Sequence, residues 1–222
     1  MLDGKVCVVT GAAGALGNVV AATAAGYGAE VVLVDVVPDF TTDLGRYLCV
    51  DLTDSDAVAE AMNTIGRIDM LANIAGGFDM GPTVYETDDA MWDAMFTINV
   101  TTLRTILRHA VPVMLGQGRG SIINVGALGA LQGAGNMSAY TAAKSTVMRL
   151  TESLSAEVKH QGVNVNAILP SLIDTPRNRA DMPDADFDTW VTPADLAEVV
   201  CFLGSDRARV IHGALVPVAG VL

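Results

Sequence analysis

Tyr140 and Lys144 stand four residues apart in Ser138-Ala139-Tyr140-Thr141-Ala142-Ala143-Lys144. Residues at that spacing share one face of a helix. An ammonium beside a phenol favours the phenolate and lowers a pKa that starts near ~10. A tyrosine so placed trades protons near neutral pH. Alone, the spacing also fits a surface tyrosine with a solvated lysine. A second signal stands at the head of the chain and gives the pair its context.

The apolar run Lys5-Val-Cys-Val-Val-Thr10 meets Gly11-Ala-Ala-Gly14-Ala-Leu-Gly17, and an alanine-rich stretch follows to Tyr27. This order reads as strand, tight turn, helix. Gly11 lets the backbone turn sharply. The small Ala13, Gly14 and Ala15 let a pyrophosphate reach backbone N–H groups at the helix N-terminus, where the dipole favours anions. Gly17 permits close helix–strand packing. A second strand, Glu30-Val-Val-Leu-Val-Asp35, ends in an acid 18 residues after Gly17. A carboxylate there accepts from the adenosine ribose hydroxyls and repels a 2′-phosphate. It also fits an aspartate that merely closes a strand at a turn. No Lys or Arg lies in the glycine turn, and none follows Asp35 until Arg46. The reading favours NAD over NADP.

With these residues in view, the chain resembles the short-chain dehydrogenase/reductase family over nearly its whole length. The family's Thr-Gly-x-x-x-Gly-x-Gly stands as Thr10-Gly11-Ala12-Ala13-Gly14-Ala15-Leu16-Gly17, with Ala15 in place of the middle glycine. Its Asn-Asn-Ala-Gly stands as Asn73-Ile74-Ala75-Gly76. Asp51-Leu52, after the strand-like Tyr47–Val50, matches the pair that meets the adenine. Pro170-Ser-Leu-Ile173-Asp-Thr175-Pro176 matches the segment over the nicotinamide, with Ser171 in place of a glycine. The resemblance implies that Tyr140 gives or takes the proton. It implies that Lys144 holds the nicotinamide ribose and depresses the phenol pKa, and that Asn99 maintains a water behind Lys144.

The largest departure lies 13 residues before Tyr140, where the family usually has a serine and this chain has Ala127. A methyl group donates no hydrogen bond to a substrate oxygen. Gln132, Asn136 and Ser138 are the nearby polar residues that could replace the donor, or serve as ordinary loop and helix-start residues. The quinonoid dihydropteridine reductase subfamily shares this alanine. The chain is similar to it at Asp35–Val37, Ala75–Phe78, Gly126–Leu131 and above all Asp174–Trp190, while Asn73 and Asn99 look like the broader family. Three readings follow: an oxidoreductase for a small carbonyl or alcohol, a pteridine reductase, and a cofactor-binding module with little catalysis. Asn99, Tyr140 and Lys144 argue against the last, and Ala127 argues for it. The segment from Arg177 to Trp190, where the family shapes its pocket, is short and suggests an open site or a flat substrate.

The elements that must position these residues are legible in the apolar pattern. A chain of 222 residues, 51% hydrophobic, can bury one large core as a single domain spanning residues 1–222. Val6–Val9, Val31–Val34, Ile68–Ile74, Ser121–Val125, Val163–Leu169 and Ala214–Val218 read as strands buried on both faces. Asp88–Leu115 and Ser138–Gln161 read as long helices. Alternation of the two predicts a Rossmann-type, doubly wound parallel α/β sheet, with cofactor and substrate at the carboxyl ends of its strands. The two long helices carry more apolar positions than one sheet-facing side requires. The resemblance implies that they pair between subunits, as a homodimer or homotetramer.

Net charge is −12, from 25 acids against 13 bases, which argues against nucleic acid or an anionic membrane as partner and leaves a small-molecule substrate. The alanine- and valine-rich stretch from Val19 is broken by Gly26, Gly28, Glu30 and Asp35, so no membrane span is expected there. Isolated Cys7, Cys49 and Cys201 suggest a reducing compartment, and no leader precedes Lys5, so a cytoplasmic location is expected. Cys7 and Cys49 fall in expected strands, which points to buried, inert thiols. No metal site is expected: His109, His160 and His212 are unclustered. Asp184-x-Asp186-x-Asp188 begins like a calcium loop, but Thr189 and Asp195 stand where it needs glycine and glutamate. Met182, Phe187 and Trp190 sit among these acids as a lid wall or a small satellite core.

Overall fold

A computed structural model describes residues 1–221. Seven parallel strands form one sheet: β1 (Val6–Thr10), β2 (Glu30–Asp35), β3 (Arg46–Cys49), β4 (Met70–Asn73), β5 (Gly120–Val125), β6 (Val163–Pro170) and β7 (Leu215–Val218). Their order is β3-β2-β1-β4-β5-β6-β7, so the winding direction reverses between β1 and β4. Register there aligns Thr10 with Asn73 at the carboxyl ends of the two strands.

The period of two in β1 divides the core. Cys7 and Val9 face one layer with α1 (Ala15–Gly26) and α7 (Pro193–Leu203). Val6 and Val8 face the other with α2 (Ser55–Ile65), α4 (Thr102–Gln117) and the end of α5 (Ser138–Val158). Covered on both sides, the central strands need no polar face, which is why β1 and β2 read as apolar runs. The asparagines buried in β6, Asn164 and Asn166, are accommodated by donating to the Ala208 and Ile211 carbonyls. The expectation of two-sided burial does not extend to Ala214–Val218. It forms edge strand β7, whose four residues stay partly or fully exposed because β6 alone pairs with it. Cys49 likewise lies exposed on the opposite edge, in β3, and not buried as expected.

The long helix expected over Asp88–Leu115 is interrupted. α3 (Asp89–Phe96) gives way to a π-turn over Thr97–Thr101 before α4 begins. In an α-helix the Met95 carbonyl would take the backbone N–H of Asn99. Here that carbonyl accepts from the Asn99 side chain at 3.0 Å, and the Thr102 N–H reaches back five residues to Thr97. Such wide turns gather at functional sites. The second long helix is continuous as α5, and a short 3₁₀ turn carries it to Gln161.

Candidate active site

The glycine turn closes because two later segments leave no room for side chains. Gly11 adopts φ +64°, and a Cβ there would lie 2.7 Å from the Ala75 nitrogen. A Cβ on Gly17 would lie 2.1 Å from the Gly11 oxygen. Thr10 holds the crossing chain by accepting from the Ala75 N–H at 3.2 Å. α1 starts at Ala15 behind Gly14, whose lack of a side chain leaves the helix N-terminus without a side-chain cap. Leu16 and Gly17 fill the space beneath, both buried. An uncapped helix start behind a bulk-free turn fits a dinucleotide pyrophosphate.

Asp35 ends β2 beside this turn. Its carboxylate accepts from the Ala13 N–H at 2.9 Å and from Val36 and Val37 at 2.7 and 3.3 Å. The acid therefore straps the glycine turn as well as standing where a ribose would lie. Asp51, after β3, accepts from the Thr53 N–H and hydroxyl at 2.8 and 2.7 Å. Those bonds hold its carboxyl below the usual range. Leu52 is buried next to it.

At the end of β4, the buried Asn73 donates to Asn124 at 2.8 Å, Asn124 donates to Thr151 at 2.9 Å, and Thr151 donates to the Val147 carbonyl. This chain of side chains fastens β4 and β5 to α5. The Asn73 Oδ1 has no partner among the described residues and faces a cavity of about 10 Å³. Thr10, Leu52, Asn99 and Lys144 line the same cavity. Asn124 and Thr151 escaped the sequence reading because they lie 27 residues apart and meet only when β5 packs on α5.

Asn99 grips the main chain after Gly76. Its amide accepts from the Gly77 N–H at 3.1 Å and donates to the Gly77 carbonyl at 3.0 Å. A Cβ on Gly76 would lie 2.9 Å from the Asn99 Oδ1 and 3.2 Å from the Lys144 Nζ. Only glycine lets the amide and the ammonium converge there. Lys144 is buried, donates to the Val125 carbonyl at 2.9 Å, and burial pulls its pKa down to about 8.

Tyr140 lies one turn earlier on α5. The lowered phenol pKa expected from its lysine neighbour is not found in the unliganded chain. Burial pushes it up to about 12, and the Lys144 ammonium is turned toward Val125. Desolvation disfavours the charged form of each group. Tyr140 packs against the cluster of Ala127, Ala130, Met148 and Leu169. Ala127 thus belongs to the apolar cluster that Tyr140 packs against. The other side of Tyr140 meets Phe78, with ring centroids 4.8 Å apart at 83°. Of the polar residues near Ala127, Asn136 donates to the Gly81 carbonyl at 2.6 Å and Ser138 pairs with Thr87 at 3.4 Å. Gln132 is exposed.

Pro170 ends β6, buried. Beyond it, Ile173 bridges to Val191, and Thr175 caps α6 (Pro176–Asp181) by accepting from the Asn178 N–H at 3.2 Å. Arg179 bonds Asp174 at 2.7 Å and lies 4.6 Å over the Phe187 ring, which meets the buried Trp190 edge-on. The segment thus packs on itself and is closed by the Ile173–Val191 bridge. Asp186 caps a short turn by accepting from the Asp188 N–H at 3.2 Å. Among the described residues no helix is long and apolar enough to cross a membrane.

Comparison with known proteins agrees with this geometry. The family model described as short chain dehydrogenase matches residues 5–186. The short chain dehydrogenase adrF of Penicillium rubens is 31% identical, over 98% of this chain and 96% of its own. Among solved structures, a putative NAD(P)-dependent gluconate 5-dehydrogenase from Beutenbergia cavernae with bound NADP superposes with a TM-score of 0.88 at 29% identity, covering 99% of this chain and 96% of that one. Carveol dehydrogenase from Mycobacterium avium in complex with NAD gives 0.88 at 26% identity, with 99% and 98% covered.

Proposed function

The chain belongs to the short-chain dehydrogenase/reductase family and is an oxidoreductase, and from that premise we propose an NAD-dependent enzyme that interconverts a small ketone and its alcohol. The observation that carries the reading is the convergence of Asn99 Oδ1 and Lys144 Nζ on Gly76, one helical turn from Tyr140. NAD(H), when bound, would supply the hydride chemistry. Tyr140 would give its hydroxyl proton to the forming alkoxide in reduction and take it back in oxidation. Lys144, still protonated at neutral pH with a pKa of about 8, would hold the nicotinamide ribose and offer the phenolate a counter-charge. Asn99 clamps Gly77 through its N–H and its carbonyl. Gly11, Ala13, Leu16 and Gly17 would hold the pyrophosphate, and Asp35 the adenosine ribose. Asp51 and Leu52 would border the adenine. Asn73, Ala75, Gly76, Pro170, Ile173 and Thr175 would border the nicotinamide half.

The neighbours' names support only the reaction class, since gluconate and carveol both carry a hydroxyl group, on an open chain in the first and on a ring in the second. Unpaired Cys7, Cys49 and Cys201 support a reducing, cytoplasmic setting. A groove between α4 and α5 supports self-association as a dimer or tetramer: half-buried Leu107, Val111, Leu150 and Leu154 line it together with the exposed Arg104, Arg108 and Glu157. One observation favours a second reading: the Ala127 methyl supplies no hydrogen bond to a ketone oxygen, and a quinonoid dihydropterin ring needs none there.

NADH oxidation in the presence of ketones tests the main reading. Activity is expected, and Tyr140→Phe should reduce it roughly 10²-fold or more, because the general acid is gone. A steady-state rate unchanged by that substitution would show that the mechanism is wrong.

A further inference from the structure

Phe78 is a large apolar residue left 41% exposed while its ring meets Tyr140 edge-to-face. That exposure is held in place. The residue before it, Gly77, is clamped through both its N–H and its carbonyl by the Asn99 amide. A Cβ on Gly77 would lie 3.0 Å from Ile98, so the backbone runs directly against the helix. Three residues on, Gly81 and Asn136 exchange two hydrogen bonds, at 2.9 and 2.6 Å. Asn136 adopts φ +63° to do so. Phe78 is thus fixed at both ends of a short span.

The remaining surroundings of the phenol are apolar as well. Ala127, Ala130 and Leu128 belong to the cluster against which Tyr140 packs. The polar side chains of the adjoining rim, Asn136 and Ser138, are engaged by Gly81 and Thr87. A hydroxylated open-chain substrate finds few open partners here. A flat or alicyclic ring lays a broad apolar face on the exposed Phe78 ring and gives up less conformational freedom in doing so than an open chain.

We propose that Phe78 is a specificity-determining wall of the substrate site, selecting carbonyl compounds whose carbonyl is part of, or borne on, an apolar ring. This rests on the oxidoreductase reading above. Phe78 touches Tyr140 directly, so a carbonyl that reaches the phenol hydroxyl brings the rest of its molecule against Phe78. The same contact shields the phenol from water. Opening it should relieve part of the desolvation that raises the Tyr140 pKa.

The test compares kcat/KM for cyclohexanone and hexan-2-one with NADH in the wild type, F78L, F78A and F78W. The wild type should prefer the ring. F78L keeps apolar volume, so it guards against a variant that fails to fold. F78L and F78A should each lower the ring-to-chain ratio about tenfold, mainly through KM, since an aromatic contact contributes on the order of one decade. F78W should retain the ratio. An ultraviolet titration of tyrosinate, referenced to the same variants carrying Y140F, should show the Tyr140 phenol ionising at lower pH in F78A. If the wild type turns over both ketones and the ratio is unchanged in F78L and F78A, the wall is wrong and the oxidoreductase reading stands. Turnover of neither ketone by a wild type that binds NADH overturns both.

Discussion

The Lys144 ammonium donates to the Val125 carbonyl at 2.9 Å, tying α5 to the carboxyl end of β5. The bond fixes the amine inside the protein at an electrostatic cost. Burial lowers its pKa from 10.5 to about 8, so between those values the unfolded chain holds a proton that the folded chain has lost. Stability then rises with pH through that window, and the full penalty applies below about 8. Tyr140 contributes only above its unfolded pKa of 10, where its raised folded value makes stability fall with pH. Lys144→Met removes the lysine from this balance. Urea midpoints at pH 7, 8.5 and 9.5 should show the wild type gaining on Lys144→Met as pH rises. Parallel profiles would contradict the buried, depressed amine.

Asp35 does two things at once, and a pair of variants separates them. As a negative charge it repels a 2′-phosphate; as an acceptor it straps Ala13, Val36 and Val37. The wild type should bind NAD at least roughly tenfold tighter than NADP, about 1.4 kcal/mol. Asp35→Asn keeps one of the two acceptor oxygens and removes the charge, so discrimination should fall while the urea midpoint falls less than in Asp35→Ala. Asp35→Ala should lose both. Calorimetric titration with the two cofactors reads the first effect. Equal affinities in the wild type would refute the assignment.

Val6–Val9 is readable as a strand because β1 is covered on both faces and carries apolar residues at successive positions. Val163–Leu169 is readable in spite of Asn164 and Asn166 because valine, isoleucine and leucine surround them. Both runs appear within one residue of β1 and β6. Ala214–Val218 has the same composition yet forms an exposed edge, because sequence records apolarity and not the number of neighbours. Asn99 was legible as a motif residue. Its capture of the Met95 carbonyl, and the π-turn that follows, depends on where Gly77 passes. Phe78 stands alone, outside any apolar period. It becomes part of the site only because Asn99 clamps the residue before it. The Tyr140–Lys144 spacing places both residues on α5 one turn apart but misses their electrostatics, since spacing does not reveal the depth of burial.

The groove between α4 and α5 bears on assembly. Arg108 is exposed on α4 and lines the groove with Glu157 of α5. If two copies pair there, each brings its own arginines and acid to the other. Sedimentation at micromolar concentration should give a dimer or tetramer. Arg108→Glu places like charges together and should shift the mass toward the monomer without moving the urea midpoint of the isolated subunit. A wild type that sediments as a monomer counts decisively against the pairing.

Ala127 decides between the enzyme readings. It is buried, extended at φ −156°, and belongs to the cluster that Tyr140 packs against. Serine there adds one oxygen beside the phenol. If the natural substrate is a ketone handled without that donor, Ala127→Ser should raise kcat, since one donor to a developing oxyanion contributes about 2.7–4 kcal/mol in favourable geometry. The increase should appear with ring ketones and vanish when Tyr140→Phe is added, because both groups act on the same oxygen. If the site is built for a quinonoid ring, the hydroxyl has nothing to stabilise and crowds the pocket. Turnover of quinonoid dihydropterin would then hold or fall, and ketones would remain poor substrates. The apolar wall around Tyr140 and the protein-engaged Asn136 and Ser138 favour the first outcome. We expect at least tenfold higher kcat on a ring ketone in Ala127→Ser, measured by NADH oxidation. A kcat at or below the wild-type value, in a variant that binds NADH normally, would reject the ketone reading in favour of the quinonoid one.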